Sequence, residues 1–351
     1  SATPALETMA NVWAGRYRHL VLSERHGPAQ MPDVFAVDMR ADPPERGRWL
    51  SPGLVKSMAQ VLAKEEQSLL FLNRRGYAPL TLCRSCGHRL ECPQCDSWLV
   101  EHRFRKELAC HHCGYTAPSP KACPACGAED ALVACGPGVE RIAEEVTELF
   151  PEARVALLSS DVLRGPAAYR EAVRQIEEHE VDIIIGTQVV AKGHNFPLLT
   201  LVGVVDADLG LENGDLRAAE RTFQLLHQVS GRAGRAEKPG TALLQSFQPD
   251  HPVIRAILSG DEEGFWRAEA DERRATGMPP FGRLAGIVIS APEAAAAFDL
   301  GTHLARSDGP IRAIDGMVYG PAPAPIARIR GRHRVRLLVK APKGAPIQGA
   351  L

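Results

Sequence analysis

At 351 residues the chain is long enough for two or three domains, because single cores rarely grow past roughly 250 residues. Its 45% hydrophobic and 24% charged content is that of a globular protein, and no apolar run reaches the roughly 18 residues of a membrane span. A formal net charge of −1 removes any global attraction to nucleic acid, so binding of that kind has to come from local basic patches.

The opening stretch, SATPALET, has no initiator Met and none of the basic flank or apolar core of a signal peptide. PIQGAL closes the chain as the first turn of a helix, so a piece of a longer protein is expected, and nine cysteines without a secretory signal point to the cytoplasm. QSLLFLNRRG (67–76) reads as a buried strand and its exit loop. Eight of the nine cysteines then fall between Cys83 and Cys126, all in CxxC pairs. A CxxC turn puts two thiolates on one side of a tight loop, and two such turns complete a tetrahedral S4 shell for zinc. With no secretory signal, the set reads as metal ligands more than as a disulfide scaffold.

The four pairs can combine sequentially, crossed or nested. Spacing favours nesting: sequential pairing leaves only five residues between the first two knuckles, and Trp98, Val100, His102 and Phe104 alternate as a short hairpin between the inner pairs would. Two structural zinc ions are expected, zinc 1 on Cys83, Cys86, Cys123 and Cys126, zinc 2 on Cys92, Cys95, Cys110 and Cys113. Four thiolates leave no open position for catalysis. Arg84, Arg89, Arg103, Arg105, Lys106 and Lys121 would offset the negative charge of the two sites. Cys135, without a mate in an apolar run, reads as a buried core thiol.

Beyond the cysteines, VERIAEEVTELF puts Val139, Ile142, Ala143, Val146, Leu149 and Phe150 on one helical face. Strand RVALLSSD, helix PAAYREAVRQIEEH, strand VDIIIGT and the apolar run LLTLVGVVDAD follow. A helix from about Asp215, with Leu216, Ala219, Phe223 and Leu226 inward, precedes strand TALLQSF. The alternation predicts an α/β fold with a parallel sheet. Ligands of such sheets sit at the carboxyl ends of strands, which points to the loops NRRGYAP, GPGVER, GTQVVAKGHNF, DADLG and QVSGRAGR. GPG lacks a third glycine and VVDAD has no GxxxxGK[ST] loop beside it, so neither carries much alone. QVSGRAGR is more specific. Gly231 and Gly234 interrupt a helical segment at about 1 kcal/mol each, and Arg232 and Arg235, three apart, can both reach one triphosphate.

After Pro252 the composition changes. ERRATGMPPFGRLAGIVIS gives a helix end, a Pro-Pro turn and a strand, and AAAAFDLGTHLAR gives a helix. In GPAPAPIARIRGRHRVRLLVK, Arg328, Arg330, Arg332, Arg334 and Arg336 recur at period two and, in one strand, would share a face. Phosphate is the natural partner of such a row, although a solvated edge strand guarded by charge is the bland alternative.

GTQVVAKGHNF and QVSGRAGR resemble motifs V and VI of superfamily 2 helicases, and SATPALET resembles motif III. NRRGYAP running into four CxxC pairs is similar to the primosomal protein N′ family of replication-restart helicases, from Ser1 to about Pro342. The resemblance implies an ATP-driven 3′→5′ DNA helicase that recognises stalled forks and D-loops and helps reload the replicative helicase, with nested zinc pairing. It implies Arg232 and Arg235 as the pair reaching the γ-phosphate, with Gln228 ordering that site beside Gly231 and Gly234. Thr187, Gln188 and Lys192 would contact single-stranded DNA, with Gly193 in the same loop, Asp206 would lie near the interlobe cleft, and Ser1, Ala2 and Thr3 would couple nucleotide state to lobe movement. The family's Walker A loop and DExH box have no counterpart in this sequence, so ATP and Mg²⁺ are expected to be held only in an intact protein and the chain alone to be inactive.

The expected organisation is the end of lobe 1 over 1–25, lobe 2 over 26–82 and 128–250, the zinc insert over 83–127 and a small α+β DNA-binding domain over 251–351. Expected partners are single-stranded and forked DNA, single-stranded-DNA-binding protein and helicase-loading primosome proteins, with no membrane and a monomeric state. A non-catalytic zinc module recognising branched DNA or a protein is the second reading, and an RNA helicase the third.

Overall fold

The computed structural model describes residues 3–22, 31–45, 47–73, 80–83, 86, 88–95, 98–102, 107–110, 113–129, 132–135, 138–159, 163, 165–188, 196–211, 216–234 and 238–351. In chain order the elements are α1 (Leu6–Trp13), β1 (Asp33–Asp38), α2 (Pro52–Leu62), β2 (Gln67–Phe71), β3 (Leu80–Cys83), β4 (Val100–His102), β5 (Glu107–Ala109) and β6 (Thr116–Pro118). There follow β7 (Leu132–Cys135), α3 (Val139–Leu149), β8 (Val155–Leu158), α4 (Gly165–Glu177), β9 (Ile183–Gly186), β10 (Leu199–Val204), α5 (Ala218–Ser230), β11 (Thr241–Ser246) and α6 (Pro252–Ser259). The rest are α7 (Glu262–Ala275), β12 (Gly282–Ala291), α8 (Ala294–Arg306), α9 (Gly309–Arg312), β13 (Met317–Ile329), β14 (Arg332–Pro342) and α10 (Ile347–Ala350). They form two compact units, one of residues 1–77 and 137–266, the other of residues 78–136 and 267–351.

The first unit is built on a six-stranded sheet in the order β1-β11-β10-β2-β9-β8, all pairs parallel. QSLLF, IIIG and LTLVGV are buried along their whole length, as strands covered on both faces must be. Leu70, Ile183, Ile185, Leu201 and Leu243 meet Leu54 and Met58 of α2 and Val139, Ile142 and Val146 of α3 in one core. The alternate residues Leu69, Ile184, Val202 and Leu244 are buried too. Two buried amides tie the layers: Gln67 Nε2 donates to the carbonyls of Ile176 and Val181, and Gln245 accepts from Ser51 N while donating to Trp49 O and Val205 O.

Gly203 lets α2 lie close against β10. A Cβ there would stand 2.8 Å from Leu54 Cδ1 and 2.9 Å from Leu70 Cδ2. Gly203→Val should therefore destabilise this unit by about 1–3 kcal/mol through overpacking, read as a lower denaturant midpoint; an unchanged midpoint would mean that α2 has room to move.

The second unit holds the cysteine-rich stretch, with an antiparallel β3–β7 pair and a three-stranded β4-β5-β6 sheet, and a C-terminal antiparallel sheet in the order β12-β14-β13. Ile289, Val335 and Leu337 of that sheet pack against Ala297 of α8, and Val339 and Ala341 against Ile311 and Ile347. The expected fold class is the observed one: a parallel-sheet α/β body, an inserted two-site cysteine ribbon and a small α+β domain.

The five-arginine strand is corrected. Ile329 pairs with Arg332, leaving Arg330 and Gly331 as a two-residue turn with φ of 51° and 75°. Positive φ at both central residues is what a type I′ hairpin turn requires. Arg332, Arg334 and Arg336 keep one face of β14. Arg328 pairs with His333 and so takes the opposite face.

Candidate functional site

The eight cysteines gather into two groups, Cys83, Cys86, Cys123 and Cys126, and Cys92, Cys95, Cys110 and Cys113, each with its Sγ atoms within 4.8 Å of one another. The nested pairing is thus the one formed. Cys83 and Cys126 Sγ are 3.7 Å apart, Cys86 and Cys123 3.8 Å, and Cys92 and Cys113 3.7 Å. A zinc tetrahedron with bonds of about 2.3 Å has sulfur–sulfur edges of about 3.8 Å, so both sets fit the ion. The expected hairpin between the inner pairs is β4–β5, and Leu90, Leu99 and Leu108 make a small core with the inner cysteines. Burial, with Cys110 and Cys113 beside it, pushes the Cys92 thiol up to about 12. Four such thiols do not ionise together without a cation at their centre.

Of the expected counter-cations, Arg89 lies over the Trp98 ring at 5.3 Å and Lys121 is exposed. Arg84, Arg103, Arg105 and Lys106 lie outside the described residues, as do Phe104 and the side chain of Cys135.

In the first unit, the loops at the carboxyl ends of the strands form a connected polar rim. Asn73 Nδ2, after β2, donates to Leu209 O at 2.7 Å, and Gln188 Nε2, after β9, approaches Asn73 Oδ1 at 3.5 Å. Asp206 Oδ1 accepts from the backbone N–H groups of Asp208 and Leu209, each at 3.1 Å. Asp208 in turn accepts from Ser246 Oγ at 2.5 Å and Phe247 N at 2.6 Å. Burial, then the charge of Asp208, holds the Asp206 carboxyl above the usual carboxylate range. Thr187 is buried on this rim, and Thr187 N donates to Leu158 O.

Residues 231–234 of GRAGR are on the other edge, a correction to their grouping with the carboxyl-end loops. The segment leaves the C-terminus of α5 and leads into the start of β11, and Gly234 N donates to the carbonyl of Leu199, the first residue of β10. A loop from helix to parallel strand must reach the amino end of that strand. Asp206 therefore does not share a site with Gly231 and Gly234; β10 separates them. Gly234 has φ of +68°, and a Cβ on Gly240 would fall 2.4 Å from Gly234 N, so this loop is closely packed backbone. Arg232 is 5% exposed, folded into the lobe where its charge reaches the Tyr169 phenol. Lys192, Gly193 and Arg235 lie outside the described residues, as do Ser1 and Ala2.

Thr3 is brought to this helix. Gln228 Nε2 donates to Thr3 Oγ1 at 2.7 Å, and Gln224 Nε2 to Pro4 O at 3.1 Å. Leu6 N donates to the buried Glu220 carboxylate, and Glu7 forms an ion pair with Arg217. The segment expected to be the end of a preceding lobe is fastened along α5.

On the C-terminal sheet, the face away from α8 carries a basic row. Arg334 stands opposite Ser290, Arg336 between Val288 and Ala322, Leu338 between Gly286 and Tyr319, and Lys340 between Leu284 and Met317. Val288, Met317 and Tyr319 are exposed. β12, β13 and β14 carry Arg283, Arg328, Arg332, Arg334, Arg336 and Lys340 without one Asp or Glu. Sequence reasoning found the arginines and missed Lys340, which continues their period of two along β14, and Tyr319, which joins that face only through the hairpin register. Arg332 is partly engaged, donating to Ser290 O and Oγ at 2.6 and 3.1 Å, and Arg334 donates to Ile326 O.

A family model described as the PriA DNA helicase Cys-rich region domain matches residues 92–118, and one described as the primosomal protein N C-terminal domain matches residues 274–351. Replication restart protein PriA of Rickettsia conorii is 42% identical over 99% of the chain and 53% of its own length. The same-named proteins of Bacillus subtilis and Haemophilus influenzae are 40% identical over 97% of the chain and 38% over all of it, covering 42% and 48% of their own lengths. The chain thus spans about half the length of the curated relatives it matches. Among solved structures, Mss116p DEAD-box helicase domain 2 bound to an RNA duplex is 10% identical with a TM-score of 0.31, covering 65% of this chain and 59% of its own, too slight a likeness to add to the topology above. With relatives at this identity along nearly the whole of the chain, and both family models falling on the unit that holds the inner cysteine centre and the basic sheet, the chain belongs to the family of replication restart protein PriA.

Proposed function

We propose that the chain supplies the second motor lobe, zinc insert and C-terminal DNA-contacting domain of an ATP-dependent 3′→5′ DNA helicase that acts at stalled forks and D-loops and restarts replication by promoting primosome assembly. The observation that most supports this reading is the bond from Gln228 to Thr3 at the end of α5. It ties a segment resembling motif III to the helix that delivers GRAGR. A pure binding module has no need to hold those two segments together. On this reading Arg232 and Arg235 neutralise charge on the transferred phosphoryl group of a Mg²⁺-bound ATP, and Gly231 and Gly234 give that loop its turn. Thr187, Gln188 and Lys192 follow the backbone of single-stranded DNA at the carboxyl rim. Forked DNA, single-stranded-DNA-binding protein and helicase-loading proteins are the partners, met by a monomer in the cytoplasm. Among the described residues no helix is long and apolar enough to cross a membrane.

The deciding experiment is single-stranded-DNA-stimulated ATPase activity of a protein carrying this chain together with the upstream half its relatives possess, beside the chain alone. Turnover is expected only from the longer protein. Turnover by the chain alone would overturn the division of the ATP site, and none from either would favour the non-catalytic zinc module.

The basic sheet face makes a separate expectation. Arg336→Ala should lower the salt dependence of binding to an oligo-dT strand by about 0.7 in logarithmic slope. Tyr319→Ala should weaken binding by about 1–3 kcal/mol if a base stacks on the ring. A fluorescence titration at several salt concentrations reads both, and binding indifferent to Arg336 removes this face from the DNA path.

A further inference from the structure

The hairpin turn that breaks the arginine row does not end in solvent. Gly331 N–H donates to the carbonyl of Gln94 at 2.7 Å, inside the Cys92–Cys95 knuckle. The Arg330 backbone amide lies beside the Cys95 sulfur. Ile329, on the strand side of the same turn, packs against the small core of Leu90, Leu99, Leu108 and the inner cysteines. Within the knuckle, Gln94 N–H in turn points to Cys92 Sγ at 3.4 Å. Thus a turn more than two hundred residues downstream bonds one inner CxxC turn through its Gly331 amide and lays its Arg330 amide beside a ligand sulfur.

We infer that the Arg330–Gly331 turn is the outer shell of the inner zinc centre, so that the metal site and the C-terminal arginine hairpin hold each other in place. A tetrathiolate centre carries excess negative charge, and N–H donors to its sulfurs are the usual means of stabilising it. The turn presents its amides because Arg330 and Gly331 are the two residues left outside the β13–β14 pairing, and positive φ at both lets the chain reverse in two residues. The coupling runs both ways. The cationic row begins at Arg332, one residue past the turn, so the metal centre sets where that row starts. The inference needs zinc at the inner site and is independent of the motor reading.

The test uses the full chain loaded with zinc, with Cys86 and Cys126 both replaced by serine so that only the inner ion is counted. Transfer of zinc to a chromophoric chelator gives its affinity. Gly331→Val places a β-branched residue at a φ of 75° and breaks the turn; it should weaken inner-site zinc by about 10–100-fold, the usual effect of losing an outer-shell partner. Arg330→Gly keeps the N–H and suits the left-handed conformation, and should retain the parental affinity. Equal affinity in Gly331→Val and the parent overturns the inference, and so does a loss in Arg330→Gly as large as that in Gly331→Val, which would assign the effect to the guanidinium. A second measurement needs no substitution in the hairpin. Stripping the inner ion should accelerate hydrogen exchange at the Arg330 and Gly331 amides at least tenfold relative to those of β12. Exchange there that ignores the metal also overturns the inference.

Discussion

Replacing Arg235 with alanine in a protein that includes the upstream half found in its relatives should lower DNA-stimulated ATP turnover by about 10³–10⁵-fold, the range of an arginine finger, and leave the melting midpoint of the lobe unchanged. Arg232→Ala should differ in kind. Arg232 is buried at 5% exposure within the lobe, beside the last turn of α5 and within electrostatic reach of Tyr169. Removing a buried guanidinium leaves a hole and strands the groups around it, so this variant should lose thermal stability as well as turnover. Measuring turnover and melting on both variants separates a residue that acts on phosphate alone from one that also builds the loop. Gly234→Ala offers a third comparison, because a φ of +68° is costly for any Cβ and should distort the loop without removing either charge. Turnover indifferent to Arg235 would place the finger elsewhere in the molecule.

The sheet was readable because its central strands are continuous apolar runs. QSLLF, IIIG and LTLVGV have no polar alternation, and that is the signature of strands covered on both faces. β1 was not identified: DVFAVD, on the sheet edge, has an exposed Phe35 and mixed burial and so looks like neither a buried nor an amphipathic strand. The metal ligands were readable for a covalent reason, since CxxC fixes two thiols on one turn whatever the surrounding fold. Which edge of the sheet GRAGR occupies was not visible, because that follows from helix direction and strand order rather than from local pattern. The hairpin turn was hidden by its residues. Asn-Gly or Asp-Gly marks a type I′ turn, whereas IRGR continues the arginine period straight through the reversal. Tyr319 was hidden for the same reason, because cross-strand neighbours appear only when the register is known.

Replacing Cys110 with serine should halve the zinc content of the chain, from two ions to one, and unfold the β4-β5-β6 sheet while the six-stranded sheet keeps its own melting transition. Three strands of three residues, with Leu90, Leu99 and Leu108 as the main apolar contribution, bury too little surface to offset the ordering of the segment around them. The ion supplies the difference, on the order of 10 kcal/mol for a structural site. Serine leaves the volume nearly unchanged and removes only a thiolate, so the loss would report coordination rather than packing. The outer centre makes a useful contrast. Cys83 sits on β3, which is paired with β7, and Cys83 and Cys123 pack with Ala128 and Leu132. Cys123→Ser should therefore release one ion as well, yet leave β4-β5-β6 ordered, since the nested arrangement gives the inner sheet its own complete ligand set. Metal analysis by mass spectrometry counts the ions, and hydrogen exchange over residues 100–118 reads the inner sheet in each variant. If Cys110→Ser kept that segment protected with one ion bound, the zinc would be an addition to a fold that stands without it. If Cys123→Ser unfolded it as fully as Cys110→Ser, the two centres would be one cooperative unit, and the nested geometry alone would not make the inner ribbon self-sufficient.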